Sequence, residues 1–203
     1  MNSVLLSKKK GQDTDLIYTK AVATPNGWTF VIPNQDSVSY GYLFNDTITD
    51  REDAIIDFVK RFEIEEITDE LKFENYRAKN FYVGERTILQ GNMYGFIEPM
   101  EATAVAFYQY ICRQSWDAIF KIQTVDYCNE KIKTNMKQLE NIILWHYQYG
   151  SKYNTPFWEY AKSLPFNPDQ EFYNMVYDRE TKLKQYGQWM KWNFENWKDG
   201  VEI

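Results

Sequence analysis

Histidine, cysteine and long apolar runs are scarce in this sequence, and each shortage argues against a class of protein. The single histidine, His146, argues against a histidine-based catalytic constellation. The 2 cysteines, Cys112 and Cys128, lack metal-ligand spacing and are expected to be reduced core residues of a cytosolic protein. No apolar run reaches the ~20 residues of a membrane span, and the N-terminal charges follow the wrong order for a signal peptide. We expect a cytoplasmic protein with no metal centre and no membrane partner.

A basic surface for nucleic acid is also missing. The chain has 23 Lys and Arg against 29 Asp and Glu, a formal net charge of −6. Its basic run, Lys8 to Lys10, is short and is expected to be solvated, so no nucleic-acid partner is predicted. Aromatic residues, in contrast, make up 18% of the 203 residues. Such rings usually build a core, and they can also line a site for a flat ligand.

The predicted elements divide the chain into a strand-rich and a helical part. Strands are predicted at 3–6, 16–23, 28–32, 38–44, 71–76 and 87–90. The short turns between the second, third and fourth of these favour an antiparallel sheet. A helix follows at Thr49, which forms a capping box with Glu52, and its buried stripe is predicted to be Ile55, Phe58, Val59 and Phe62. We predict an α+β fold, with a mainly β-sheet domain over 1–98 and a helical domain over 99–203.

Helical periodicity dominates after Pro99, which pre-sets φ for a helix that is predicted to run from Met100. One face of that helix is predicted to carry Val105, Tyr108, Cys112, Trp116 and Ile119. Further helices are predicted from two patterns, the first over 132–143 and the second over 172–190, with a short helix capped near Thr155 between them.

The start of the helix after Pro99 is a candidate anion site, with Glu101 and Thr103 in its first turn. The backbone N–H groups there have no helical partner and carry the positive end of the helix dipole, which favours an anion. From the local sequence alone, Glu101 is better explained as an acid that stabilises the dipole than as a functional carboxylate.

Three motifs, in order along the chain, carry a resemblance to a known family. Residues 95–103 read GFIEPMEAT, residues 27–33 read GWTFVIP, and His146-Tyr147 is followed by TPFW at 155–158. The first resembles the G-F-x-E-P-L-E-[SA]-T signature of flavin-dependent halogenases of the tryptophan-halogenase family, and the second resembles their G-W-x-W-x-I-P motif. The resemblance covers most of residues 15–165.

The resemblance implies an oxidoreductase that installs halide on an aromatic substrate such as an indole. In the family, reduced FAD and dioxygen generate hypohalous acid from chloride or bromide, a flavin reductase supplies the reduced FAD, and a lysine presents the electrophile to the ring. By motif match, Glu101 is the catalytic glutamate. The backbone around Thr103 and Ala104 is implied to hold the halide.

The resemblance also places residues at the cofactor and at the substrate. The residues implied to lie near the flavin are Trp28, Phe30, Ile32, Pro33, Gly91, Asn92 and Pro99. Those implied to contact the substrate are Tyr147, Tyr153, Phe157 and Trp158. Tyr153 stands where members acting on free tryptophan have a glutamate, which implies a different indole or a phenol. Two alternatives stay open: Trp28 and Phe30 as strand aromatics in a core, and His146 as a packing residue.

The glycine-rich turn that binds a dinucleotide in flavin enzymes is absent from the sequence, which has no G-x-G-x-x-G run. The region that would carry the catalytic lysine is absent too. We therefore expect the C-terminal part of a halogenase, in which 1–98 is a remnant of the FAD-binding domain and FAD binds only when an N-terminal half completes the protein. The alternative is an inactive fragment or an aromatic-lined interaction module without catalysis.

Overall fold

Strands predominate early in the chain and helices later, in a computed structural model that describes residues 1–11, 17–84 and 86–201. The strands are β1 (Ser3–Lys10), β2 (Lys20–Thr24), β3 (Gly27–Pro33), β4 (Ser37–Phe44), β5 (Asp69–Lys72), β6 (Tyr76–Arg77), β7 (Tyr82–Val83), β8 (Thr87–Ile88), β9 (Gly95–Phe96), β10 (Gln185–Tyr186) and β11 (Trp189–Met190). The helices are α1 (Arg51–Phe62), α2 (Ala104–Ile119), α3 (Val125–Tyr149), α4 (Pro156–Ser163), α5 (Gln170–Tyr177) and α6 (Lys191–Val201). The predicted α+β class is confirmed.

These elements form two compact units. The strand unit comprises Met1–Glu74 and Gly150–Leu164, and the helical unit comprises Asn75–Tyr149 and Pro165–Ile203. The two units do not follow the boundary predicted between residues 98 and 99. Helix α4 belongs to the strand unit, and β6 to β9 belong to the helical unit. The assignment of 1–98 to the flavin and 99–203 to the substrate stays a prediction.

The strand unit is built on an antiparallel sheet with the order β2-β3-β4-β1-β5. Its inner face places Leu5 opposite Tyr42, and both rest against Phe58 of α1 in a cluster that is fully buried. The predicted strand at 16–23 begins only at Lys20 in the described residues, and Leu16 lies outside them. The predicted strand at 71–76 is two strands, because β5 pairs with β1 whereas β6 pairs with β9.

Helix α1 begins one residue later than the predicted capping box requires. Asp50 is the N-cap, and its carboxylate accepts a hydrogen bond from the backbone N–H of Glu52 at 2.9 Å. Thr49 instead closes the preceding turn, where its backbone N–H donates to the carbonyl of Asn45. The capping box was wrong because a charged carboxylate beside the helix dipole competes with the neighbouring hydroxyl. The predicted stripe is buried at Phe58 but 39% exposed at Val59.

The core of the helical unit forms around α3, whose apolar residues Ile132, Met136 and Leu139 are at most 1% exposed, as the periodicity predicts. Trp145 extends this core, with its ring 5.5 Å from that of Phe172 on α5. The predicted helical run over 172–190 is wrong beyond Tyr177. There the chain forms the β10–β11 hairpin, whose turn uses Gly187 at φ 57°.

Helix α2 has two apolar faces. Phe107 and Ile111 enter the core. The opposite face carries four members of the predicted stripe, and these are exposed: Val105 at 66%, Trp116 at 59%, Ile119 at 57%, and Cys112. We call Val105, Cys112, Trp116 and Ile119 the α2 outer face. Cys112 was expected in the core and is exposed because it belongs to this face, whereas Cys128 is buried as expected. No helix within the described ranges is long and apolar enough to span a membrane.

Candidate functional site

The backbone reverses just before α2. Pro99 precedes a short 3₁₀ turn over Met100–Ala102, and α2 begins only at Ala104, with Thr103 at its N-cap. Glu101 has φ 63° and Ala102 has φ 49°, the left-handed region that side chains other than glycine rarely adopt. The continuous helix predicted from Met100 is therefore wrong, because a positive φ cannot continue a right-handed helix. Glu101 lies before the helix, not in its first turn.

Two consecutive left-handed residues are an energetic cost at this turn. Each such residue costs about 1–3 kcal/mol, and conformations of this kind are concentrated at functional sites. Glycine at either position would relieve the strain. The chain instead keeps Glu101, whose side chain is 34% exposed.

A small cavity lies beside this turn. It has a volume of about 10 Å³, the size of one water molecule. The residues that line it are Gly95, Ile97, Thr103, Ala104, Phe107, Tyr108, Met136 and Leu139. Gly95 permits this packing, since a Cβ there would lie 2.8 Å from the carbonyl oxygen of Tyr76. The cavity is far too small for a flavin or an indole.

The other carboxylate of the GFIEPMEAT run is inaccessible. Glu98 is 2% exposed and accepts a hydrogen bond from the hydroxyl of Tyr147, while its backbone N–H donates to Asn75 Oδ1 at 2.8 Å. Tyr147, which the resemblance places at the substrate, is itself 4% exposed. The sequence analysis did not identify Glu98 as the hydrogen-bond partner of Tyr147, although Glu98 lies within the GFIEPMEAT motif.

The loop at Gly91 and Asn92, which the resemblance places near the flavin, is held by two tyrosines. It forms a short 3₁₀ turn over Gly91–Met93 that starts at φ 59°. The hydroxyl of Tyr108 on α2 donates to Asn92 Oδ1, and the hydroxyl of Tyr76 on β6 donates to the Asn92 carbonyl. Burial raises the pKa of Tyr108, which keeps its hydroxyl protonated as a donor.

Since Tyr108 also lines the small cavity, the loop and the cavity share one side chain. The helical unit therefore contains the predicted residues Gly91, Asn92, Pro99, Glu101, Thr103, Ala104 and Tyr147. Its described residues hold no group of three or more His, Cys, Asp or Glu side chains that could bind a metal.

The remaining predicted residues belong to the strand unit. Trp28, Phe30, Ile32 and Pro33 all lie on β3. The rings of Trp28 and Phe30 meet edge to face, with centroids 6.3 Å apart. Phe30 lies over Gly41 of β4, where a Cβ would come within 2.0 Å of its ring, so glycine is required there. Trp28 is 3% exposed, and its Nε1 finds no hydrogen-bond partner in the described part of the chain.

The aromatic pair at the start of α4 is interior. Phe157 and Trp158 are 3% and 2% exposed, and their rings meet edge to face at 5.2 Å. Trp158 Nε1 donates to the carbonyl of Thr24 at 2.7 Å, which joins α4 to the end of β2. The ring of Tyr153 lies under the guanidinium of Arg61 at 5.9 Å. These contacts give the three residues structural roles within the strand unit.

A family model for tryptophan halogenases matches residues 2–200. The chain belongs to the tryptophan halogenase family. The resemblance carried by the three motifs is thereby confirmed, and it extends further toward both ends than the motifs themselves.

Named tryptophan halogenases are similar to the chain over part of their length. Tryptophan 7-halogenase RebH of Lentzea aerocolonigenes is 25% identical over 155 residues, which are 72% of this chain and 29% of RebH. Tryptophan 6-halogenase ThaL of Streptomyces albogriseolus is 24% identical over 153 residues, again 72% of this chain and 29% of the relative. The chain thus matches less than a third of the length of these tryptophan halogenases.

Solved halogenase structures share the fold of nearly the whole chain. Xcc4156, a flavin-dependent halogenase from Xanthomonas campestris, superposes with a TM-score of 0.78 at 19% identity and covers 98% of this chain and 42% of that one. A tryptophan halogenase from Shewanella frigidimarina gives a TM-score of 0.78 at 18% identity, with 100% and 42% coverage. The chain therefore has the fold of a portion of a flavin-dependent halogenase.

Proposed function

We propose that this chain supplies the halide-binding and proton-accepting portion of a flavin-dependent halogenase, which installs chloride or bromide on an aromatic ring such as an indole. The turn at Glu101 to Thr103 is the observation that supports this proposal most directly. Two left-handed residues there hold a carboxylate that is 34% exposed, next to a small cavity lined by Thr103 and Ala104.

The role proposed for Glu101 is to accept a proton. When an electrophilic halogen adds to an arene, the attacked carbon carries both halogen and hydrogen, and the ring carries positive charge. A carboxylate close to that carbon stabilises the charge and removes the proton. Glu101 is accessible enough for this role, whereas Glu98 is buried and engaged by Tyr147.

The proposed halide seat is the start of α2, at Thr103 and Ala104. In the described part of α2, the side chain of the N-cap residue Thr103 makes no capping hydrogen bond, and the N–H groups at a helix start favour an anion. Both residues line the small cavity. Backbone donors suit this task because they hold an anion without adding a nucleophile.

The residues of this chain fit only one end of FAD. In the helical unit, the proposed contacts for the flavin ring are Gly91, Asn92 and Pro99. In the strand unit, they are Trp28, Phe30, Ile32 and Pro33 on β3. The sequence has no glycine-rich turn for the pyrophosphate, which supplies much of the affinity in this class of fold. When bound in reduced form with dioxygen, FAD would supply hypohalous acid from the halide.

A flavin-binding part, on the same or on another polypeptide, is therefore the proposed partner, and it would carry the glycine-rich turn and the lysine. The solved relatives are longer than this chain, which covers about 42% of them. We assign the α2 outer face to this partner, because Val105, Trp116 and Ile119 are each more than half exposed. A flavin reductase would provide reduced FAD, and we propose a cytoplasmic location. The same exposed face supports a second candidate function, an interaction module without catalysis.

Reconstitution separates the two functions. The chain would be co-expressed with the flavin-binding part of a halogenase relative, then supplied with FAD, a flavin reductase, halide and an indole panel, with product measured by mass spectrometry. Glu101→Gln is expected to abolish product while flavin oxidation continues. Glu195→Gln, an exposed acid on α6, is the matched control and should keep full activity. A complex that forms but never halogenates would favour the interaction module, and unchanged product from Glu101→Gln would refute the role of Glu101.

A further inference from the structure

His146 lies beside Glu101 at the end of α3. It is 9% exposed. Its Nδ1 is 2.8 Å from the carbonyl oxygen of Ile142, four residues earlier, and its Nε2 is 3.3 Å from Oε1 of Glu101. Each ring nitrogen of the chain's single histidine therefore lies close to one oxygen, and Nδ1 is hydrogen-bonded to its own.

The surroundings fix the orientation of the imidazole. The rings of Trp189 and Trp197 meet it edge to face, at centroid distances of 5.4 and 5.2 Å. A flipped ring would turn a carbon toward the Ile142 carbonyl and lose a hydrogen bond in a buried site, which costs about 1–3 kcal/mol. The packing that would make His146 only a core residue therefore also keeps its Nε2 next to Glu101.

The carbonyl of Ile142 can only accept, so Nδ1 carries a proton. Nε2 lies 3.3 Å from the carboxylate without hydrogen-bond geometry, and it has no hydrogen-bond partner in the described ranges. If neither Nε2 nor Oε1 carried a proton, two electron-rich atoms would lie 3.3 Å apart in a largely buried place. One proton between the two atoms removes that repulsion and joins the side chains.

We propose that His146 is a positioning residue for Glu101, through a proton held between its Nε2 and Oε1 of the carboxylate. This inference rests on the proposed role of Glu101. The contact fixes one carboxylate oxygen and leaves Oε2 for the proton of the substrate. It also helps to hold a left-handed turn that is costly on its own, because Glu101 cannot leave the turn without losing the contact.

The contact can be tested in the full chain without any catalysis. Because the sequence has one histidine, a chain labelled with ¹⁵N-histidine gives the signals of a single imidazole. In the wild type, Nδ1 and Nε2 should both show the ¹⁵N shifts of nitrogens that carry or share a proton. In Glu101→Gln, Nε2 should move to the shift of an unprotonated nitrogen, because the new amide donates to it.

Glu140→Gln is the matched control, since Glu140 also lies near His146 in sequence on α3 and its side chain is 35% exposed. This variant should leave both nitrogen signals in place. Identical Nε2 shifts in the wild type and in Glu101→Gln would overturn the proposal. So would an unprotonated Nδ1, which would contradict the bond to Ile142.

Catalysis in the reconstituted enzyme gives the second readout. His146→Gln keeps a donor that can reach Glu101, and His146→Phe keeps a ring between the two tryptophans without a donor. We expect His146→Phe to lower kcat for product about 10- to 100-fold with KM and flavin oxidation unchanged, and His146→Gln to retain most activity. Equal losses in the two variants, or none, would overturn the positioning role. If the reconstituted wild type gives no product, the proposed function fails, while the imidazole spectra still decide the contact.

Discussion

Helices α2 and α3 both carry an apolar stripe at helical spacing, but the chain buries them differently. On α3, Met136 and Leu139 are each 1% exposed, whereas on α2, Trp116 and Ile119 are 59% and 57% exposed. Helix α2 packs on the core of the helical unit through Phe107 and Ile111, on the face opposite the α2 outer face. A helix that is apolar on two sides usually packs on two sides.

The two helices also differ in the residues that their ends contribute to the proposed site. The start of α2 is the proposed halide seat, and the end of α3 carries His146. A polypeptide that covered the α2 outer face would therefore bind along α2. The start of this helix, with Thr103 as N-cap and Ala104 as first residue, belongs to the proposed site. Coverage of this face and completion of the site would then be coupled.

The largest expected effect compares the two stripes directly. Met136→Glu places a charge in the core of the helical unit and should unfold it, since an unpaired buried charge costs several kcal/mol. Trp116→Glu makes a similar change on the α2 outer face and should leave the thermal midpoint within a few degrees of the wild type. Circular dichroism melts measure both. If Trp116→Glu unfolds the chain as Met136→Glu does, the outer face is part of this chain's own core.

Association with the flavin-binding part gives the next largest effect. Trp116→Glu should weaken the complex about 30-fold, as expected from the loss of a buried aromatic anchor worth about 2 kcal/mol. Gln109→Glu, on an exposed position of the same helix, serves as the control and should bind as the wild type does. Titration calorimetry with the separately purified flavin-binding part would show the difference. Equal affinities for the wild type and Trp116→Glu would move the partner surface elsewhere.

The chain alone is expected to bind FAD weakly and to halogenate nothing, because it lacks the pyrophosphate turn. Quenching of flavin fluorescence measures the binding, and mass spectrometry of an indole incubated with a flavin reductase system measures the product. The complex with the flavin-binding part is the positive control. Stoichiometric tight binding by the chain alone, or product above the background from free hypohalous acid, would mean that it is a minimal halogenase in its own right.

Sequence patterns predict those features of the fold that side chains form directly. The strands predicted at 28–32 and 38–44 correspond to β3 and β4, and the apolar spacing over 132–143 corresponds to buried positions on α3. The order of three motifs predicts the family. In each case the signal is a set of side chains that the fold uses directly.

The errors come from the backbone and from competition between neighbours. The left-handed φ of Glu101 and Ala102 cannot be predicted from residue type, because neither is glycine. The pattern therefore predicts a continuous helix through the turn. The capping box at Thr49 fails because Asp50, one residue on, is the stronger cap. The stripe on α2 has the right period, but periodicity cannot tell whether the covering surface lies in the same chain.

Substrate choice provides a smaller effect, located in the strand unit. We propose, from the family resemblance, that Tyr153 stands where an acid would bind the ammonium group of free tryptophan, so the reconstituted enzyme should prefer indoles without that group. Tyr153→Glu should shift the ratio of tryptophan to such indoles about tenfold toward tryptophan, through one charge-assisted hydrogen bond. Tyr160→Glu, on α4, is the control. Efficient, regioselective chlorination of free tryptophan by the wild type would contradict the assignment.

The smallest effect compares the starts of α1 and α2. The carboxylate of Asp50 occupies the first N–H groups of α1, whereas Thr103 makes no side-chain cap within the described part of α2. Asp50→Ala should therefore cost about 1 kcal/mol of the free energy of unfolding. Thr103→Val keeps the branched shape and removes only the hydroxyl, so it should change that free energy by less than about 0.5 kcal/mol. Urea denaturation of both variants measures the difference. Equal costs would mean that the Thr103 hydroxyl caps α2 after all, and that its first N–H groups are not free to hold a halide.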